Sequence, residues 1–130
     1  MFGPDYHLHG YSPSLYECFT QAKVERMDGD FDVFGDGSVK VISTPGHTPG
    51  HCSLQVRLPK AGRILLSGDV AHYRFNLEHR CVPTMNFDIG QSLSSMERID
   101  AIVRDEKVQL WLNHDIVQSE TIAHAPAYFD

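Results

Sequence analysis

The sequence predicts an α/β fold, and within that class half of a sandwich: a β-meander, a long loop, a helix and one more strand. Three observations lead there. Short alternating or apolar runs, separated by Gly- and Asp-rich turns, fill residues 23–67 as a meander requires. Over residues 90–105, Leu93, Met96, Ile99 and Val103 recur at three- and four-residue steps, which marks one helical face. An apolar run at 108–112 follows, and a helix plus a single strand needs an existing sheet to dock on.

Residues 1–22 read as a loop-rich segment with a short helical turn, punctuated by Gly3-Pro4, Gly10 and Ser12-Pro13. Tyr6, Tyr11, Tyr16 and Phe19 show no period there. A strand is expected over 23–27, then a turn at Asp28-Gly29-Asp30 and a strand near 31–34. Gly35-Asp36-Gly37 turns the chain into a further strand at 39–42. Cys52–Leu58 and 63–67 form the next hairpin across Pro59-Lys60-Ala61-Gly62. Residues 70–88 mix aromatics, histidines and arginines without a period, as a long functional loop does. Asp88 with Gln91 is a capping pair for the helix. The run at 108–112 ends at Asn113-His114-Asp115, and a short helix and loose end follow from Ile116. The organisation is one partial domain over 1–130, with 23–118 as its motif-bearing core.

At 130 residues, 42% of them hydrophobic, the chain suits one domain and is too short for two. Eleven Lys and Arg against seventeen Asp and Glu give a net charge of −6, which argues against nucleic acid or an anionic membrane as partner. No run approaches the ~20 apolar residues of a membrane span. Met1-Phe2-Gly3-Pro4-Asp5 shows no basic segment followed by an apolar one, so no signal peptide is visible. Cys18, Cys52 and Cys81 lack C-x-x-C spacing and fit a reduced, cytoplasmic setting.

The most informative feature is a doubled tetrapeptide, Thr44-Pro45-Gly46-His47 and Thr48-Pro49-Gly50-His51, between two strand-like runs. Proline presets φ and glycine permits sharp turns, so both histidines are presented on a stiff loop. Asp69 follows the 63–67 run, and His114 follows the 108–112 run. Strand ends at one rim of a sheet converge in space, here bringing His51, Asp69 and His114 together. Imidazole and carboxylate suit zinc, iron or manganese, and a carboxylate can bridge two such ions. A histidine after a strand is also a common loop or capping residue, so it is the three in series that point to a site. His7, His9, His79 and His124 have no partner at a ligand spacing.

Three segments carry a family resemblance: 44–51, Leu65-Leu66-Ser67-Gly68-Asp69, and Leu110-Trp111-Leu112-Asn113-His114-Asp115. They resemble successive motifs of the metallo-β-lactamase superfamily, an αββα sandwich of which this chain matches the second half. Asn86-Phe87-Asp88 and Ser94-Ser95-Met96-Glu97-Arg98-Ile99 are similar to the N-acyl-homoserine lactonase-like branch. The resemblance covers 28–118. It implies a zinc-dependent hydrolase that opens lactones or esters with a metal-bound hydroxide, iron or manganese being alternatives. It implies His51 as ligand of the first metal, Asp69 as the bridging carboxylate, His114 as ligand of the second, and His47 as support behind them. A tyrosine that positions the substrate carbonyl in lactonases is matched here by His72, with Tyr73 beside it, so Asp69, His72 and Tyr73 are the catalytic candidates.

The superfamily signature His-x-His-x-Asp-His is absent; His7-Leu8-His9 is the only His-x-His and reads as loop. His51, Asp69 and His114 would then leave each metal with two protein ligands, where a catalytic zinc has three. The missing half would also cover one sheet face, so apolar surface is expected to be exposed or paired, with a homo-oligomer or the missing N-terminal half as partner. Two further readings stay open. One is a glyoxalase II-type thioesterase, with Arg74 and Arg80 holding glutathione. The other is a non-catalytic fragment or interaction domain that keeps the scaffold.

Overall fold

A computed structural model describes residues 12–130; the loop reading of His7-Leu8-His9 and the aromatics Tyr6 and Tyr11 lie outside the described residues. After a 3₁₀ segment at Pro13–Gln21 come β1 (Phe31–Asp32), β2 (Val39–Ser43), β3 (Cys52–Leu58) and β4 (Gly62–Leu66). The chain continues through α1 (Arg74–His79), α2 (Ile89–Glu106), β5 (Gln109–Trp111) and α3 (Ile116–Ser119). The strands form one sheet in the order β1-β2-β3-β4-β5. The first three pairings are antiparallel and β5 joins β4 in parallel. A parallel neighbour cannot be reached by a hairpin, and the chain through α1 and α2 is the required crossover.

Strand alternation divides the sheet into two faces. Ile42, Ser53, Gln55, Leu65 and Leu110 face the core, where Leu65, Met96 and Ile99 are 0% exposed. On the other face the register aligns Phe31, Val41, Leu54, Leu66 and Trp111 in one row across all five strands. Here Phe31 remains 39% and Leu66 38% exposed. The sheet therefore has one covered face and one apolar face left largely open.

Several expectations change. Residues 23–27 form no strand; they are exposed, and β1 pairs only with β2. β1 ends after two residues because the Asp32 carboxylate accepts from the N–H groups of Gly35 (3.0 Å) and Gly37 (2.8 Å), which bends the chain and leaves Phe34 exposed. The 70–88 loop contains α1, whose one buried residue, Leu77, gives no period to read. α2 is capped as expected: the Asp88 side chain accepts from Gln91 N–H at 2.8 Å. Of its stripe, Met96 and Ile99 are buried while Leu93 and Val103 are half-buried, and Ser92 and Ser95 join the buried side. The end is not loose. The Asp130 carbonyl accepts from Lys60 N–H (2.8 Å) and Ala61 N–H (2.7 Å), and Phe129 packs edge-on to Trp111 with ring centroids 4.9 Å apart. Among the described residues no helix is long and apolar enough to cross a membrane.

Candidate metal centre

The ends of β2, β4 and β5 lie at one edge of the sheet. They carry, respectively, the doubled tetrapeptide, Asp69 and His114. The loop before α1 adds His72. Asp69 is the centre of the group. Its Oδ1 lies 2.8 Å from His114 Nε2 and 3.8 Å from His72 Nε2, while Oδ2 lies 3.5 Å from His47 Nε2. The carboxylate thus turns one oxygen to each of two sides. One ligand atom each from Asp69, His72 and His114 fall within 4.8 Å of one another.

The two histidines of the repeat make different contacts with Asp69. His51 was expected at the metal, yet both its ring nitrogens are engaged. Nδ1 lies 2.9 Å from both the carbonyl and the hydroxyl oxygen of Thr44, and Nε2 accepts from the Asp69 backbone N–H at 2.8 Å. Gly68 allows that approach: its φ is +56°, and a Cβ there would come within 2.7 Å of His51 Nε2. His47, expected behind, instead faces the carboxylate. Its Nδ1 lies 3.0 Å from Asn86 Oδ1. His51 holds the Asp69 backbone in place; His47 meets the Asp69 side chain.

Hydrogen-bond direction settles which nitrogen each ring turns outward. Ser92 Oγ donates to the Asp88 carbonyl at 2.7 Å, so it accepts from Asn86 Nδ2 at 2.9 Å. Asn86 therefore turns its oxygen to His47 and accepts from its Nδ1–H, which leaves Nε2 as the nitrogen that faces Asp69. On the other side Ser53 Oγ donates to the Ser67 carbonyl at 2.8 Å, and the Thr44 hydroxyl lies 3.1 Å from Ser53 Oγ. Thr44 in turn accepts from His51 Nδ1–H. Sequence reasoning assigns Asn86 no role, although the Asn86-Phe87-Asp88 stretch carries part of the resemblance.

Burial pushes the His51 imidazole below its ordinary pKa, against the opposing pull of the Thr44 carbonyl and Asp69. Burial, followed by the neighbouring His114, lowers His72 as well. Burial alone would raise Asp69, but the His114 hydrogen bond and the nearby imidazoles outweigh it and hold the carboxyl below its usual range. An ionised carboxylate beside imidazole nitrogens, whose protons a metal ion would displace, is a donor set that fits zinc, and also iron or manganese.

A cavity of about 620 Å³ is lined by Tyr73 and Asp115, the residues that follow His72 and His114, and by Arg74, Phe75 and Val117 among others. Tyr73, one residue beyond His72, is 50% exposed on that lining. Arg80 is paired with Glu97 (3.9 Å) and Asp100 (3.2 Å), whereas Arg74 makes no ion pair among the described residues.

The model of the metallo-beta-lactamase superfamily matches residues 5–108. The chain belongs to this superfamily. Within the superfamily it falls in the lactonase-like branch. An N-acyl homoserine lactonase of Bacillus sp. is 37% identical over 115 residues, 88% of this chain and 45% of the relative. N-acyl homoserine lactonase AttM of Azorhizobium caulinodans is 30% identical over 118 residues, 91% of this chain and 44% of the relative. A solved N-acyl homoserine lactone hydrolase, with the product N-hexanoyl-L-homoserine bound at its catalytic metal centre, matches at TM-score 0.72 and 35% identity. That match covers 80% of this chain and 40% of the other. The chain spans less than half the length of these relatives.

Proposed function

We propose that this superfamily domain supplies one half of a metal-dependent hydrolase that opens N-acyl-homoserine-type lactones. The observation that carries the reading is Asp69, whose two oxygens face histidines on opposite sides. On one side His114 offers Nε2; on the other His47 takes the place expected of His51. A divalent ion, zinc by preference, supplies Lewis acidity to a substrate carbonyl and water activated near neutral pH. His51 holds the Asp69 backbone, Asn86 keeps His47 Nε2 aimed inward, and Tyr73 on the cavity wall donates a hydrogen bond to the bound acyl group.

The His47 side counts only two protein donors, His47 and Asp69 Oδ2. The signature His-x-His-x-Asp-His that would complete it is not in this chain. A second polypeptide segment must supply those donors, and the apolar row from Phe31 to Trp111 offers it a face to dock on. The free cysteines Cys18, Cys52 and Cys81 suit a reducing cytoplasm. The thioesterase reading is weaker, because Arg80 is already held by Glu97 and Asp100 and only Arg74 remains for an anionic glutathione group.

The test is turnover of N-hexanoyl-L-homoserine lactone and S-lactoylglutathione by the zinc-loaded chain. It is run alone and mixed with the N-terminal half of the Bacillus lactonase. Lactone opening that needs zinc, rises in the mixture and disappears with Asp69→Asn is expected. Faster thioester turnover would transfer the assignment to the second reading, and no turnover in the mixture would leave only a non-catalytic scaffold.

A further inference from the structure

We propose that His72 is a metal ligand, and that with Asp69 and His114 it gives this chain a complete three-donor site for a single ion. The inference rests on the reading above but departs from the family resemblance, which puts a tyrosine at this position. A phenol keeps its proton at neutral pH and is a poor zinc donor, whereas neutral imidazole is a good one. The exchange adds a donor where none was expected.

The geometry supports the count. With metal–ligand bonds near 2 Å, donors at the corners of a tetrahedron are about 3.3 Å apart. The distances from Asp69 Oδ1 to His114 Nε2 and His72 Nε2 are 2.8 and 3.8 Å, one below and one above that spacing. The His72 and His114 rings meet edge-on with centroids 4.6 Å apart, and one nitrogen of each lies within 4.8 Å of the other and of an Asp69 oxygen. Shifts well inside the range of side-chain rotation close the set.

The two loops that carry these histidines are also tied to each other. The Arg74 backbone N–H, two residues past His72, donates to Asp115 Oδ2 at 3.0 Å, one residue past His114. Before His72, Val70 and Ala71 are each only 3% exposed, and Ser67 Oγ donates to the Gly68 carbonyl at 2.8 Å. His72 is thus held by packing on one side and by a hydrogen bond to the His114 loop on the other. Three protein donors with a fourth position open is the pattern of a catalytic zinc. The His114 side therefore needs no donor from elsewhere, while the His47 side is left with two.

Metal content tests this without reference to turnover. The purified chain is loaded with zinc, dialysed exhaustively and analysed for metal, alongside His72→Ala, His72→Cys, His47→Ala and His114→Ala. One zinc per chain is expected in the parent and in His47→Ala. His72→Ala and His114→Ala should lose it, and His72→Cys should recover it, because a thiolate replaces the lost donor where a merely structural histidine would not be rescued. Thermal melts of the metal-free variants control for folding, since the His72 side chain is partly buried. Zinc retained by His72→Ala but lost by His114→Ala would overturn the role of His72. So would a parent chain that holds no zinc. Either outcome leaves lactone turnover in the mixed assay free to succeed or fail by itself.

Discussion

The two copies of Thr-Pro-Gly-His share every residue and none of their roles. In the first, Gly46 has φ +133° and presses against α2, where a Cβ would lie 2.3 Å from Ser92 N; its histidine faces the Asp69 carboxylate. In the second, Gly50 has nothing within 4 Å of a built Cβ, and its histidine turns under the sheet edge to grip the Asp69 amide. Identical local chemistry has been divided between a partner of the Asp69 carboxylate and a latch on its backbone. What differs is the neighbour: Asn86 and Ser92 for His47, Thr44 and Gly68 for His51.

The largest expected effect tests that division at the glycines. Gly46→Ala places a methyl group against the α2 backbone at a φ that disfavours any side chain, and should cost about 3 kcal/mol or more. Gly50→Ala should change stability by no more than about 0.5 kcal/mol. Urea unfolding of the two variants gives the comparison directly. Equal losses would mean that the copies are structurally equivalent after all.

The histidines should separate next. His51→Ala leaves the Asp69 N–H without its partner and takes the Nδ1–H donor from Thr44, which is 1% exposed, a loss of about 1–3 kcal/mol. His47→Ala opens a half-exposed position that water can enter to meet Asn86, so about 1 kcal/mol or less is expected. In the mixed assay, by contrast, His47→Ala should remove the second zinc. A stability loss in His47→Ala as large as that in His51→Ala would reverse the assignment of latch and ligand.

This division also marks how far the sequence could be read. β2, β3 and α2 were legible because each buries a face with its own period: Ile42 in β2, Ser53 and Gln55 in β3, Met96 and Ile99 in α2. The convergence of Asp69 and His114 was legible because both follow apolar strands that end at one rim. α1 was not, since a six-residue helix with one buried side chain carries no periodic signal. Nor could the division of contacts between His47 and His51 be read. It is set by contacts to residues 39 and 18 positions away, Asn86 and Asp69, and no local pattern distinguishes two identical tetrapeptides. The nearness of His72 to Asp69 was hidden for a related reason: His72 sits in an aperiodic loop, and only the placement of that loop beside His114 brings its nitrogen near the carboxylate.

The smallest effect concerns how the first copy is entered. Ser43, the last residue of β2 before Thr44, is held on both sides: its N–H donates to Asp30 Oδ1 at 3.0 Å, and its carbonyl accepts from Arg98 Nη1 at 2.7 Å. Arg98 Nη2 closes the ring onto Asp30 Oδ2. Burial would raise the Asp30 pKa, but the bonds from Arg98 and Ser43 outweigh it and hold the group below its ordinary value near ~3.9. A carboxyl whose folded pKa is depressed adds stability above its unfolded pKa and loses it as pH falls through the folded one. The contribution is therefore present above about pH 4 and vanishes on further acidification. Because both partners are partly exposed, it should not exceed about 1 kcal/mol. Melting temperatures of the chain and of Asp30→Asn from neutral to acid pH should converge at the acid end, the variant starting lower. Parallel curves would show that the ring adds no pH-dependent stability, and that the packing of Gly46 on α2 alone sets the approach to His47.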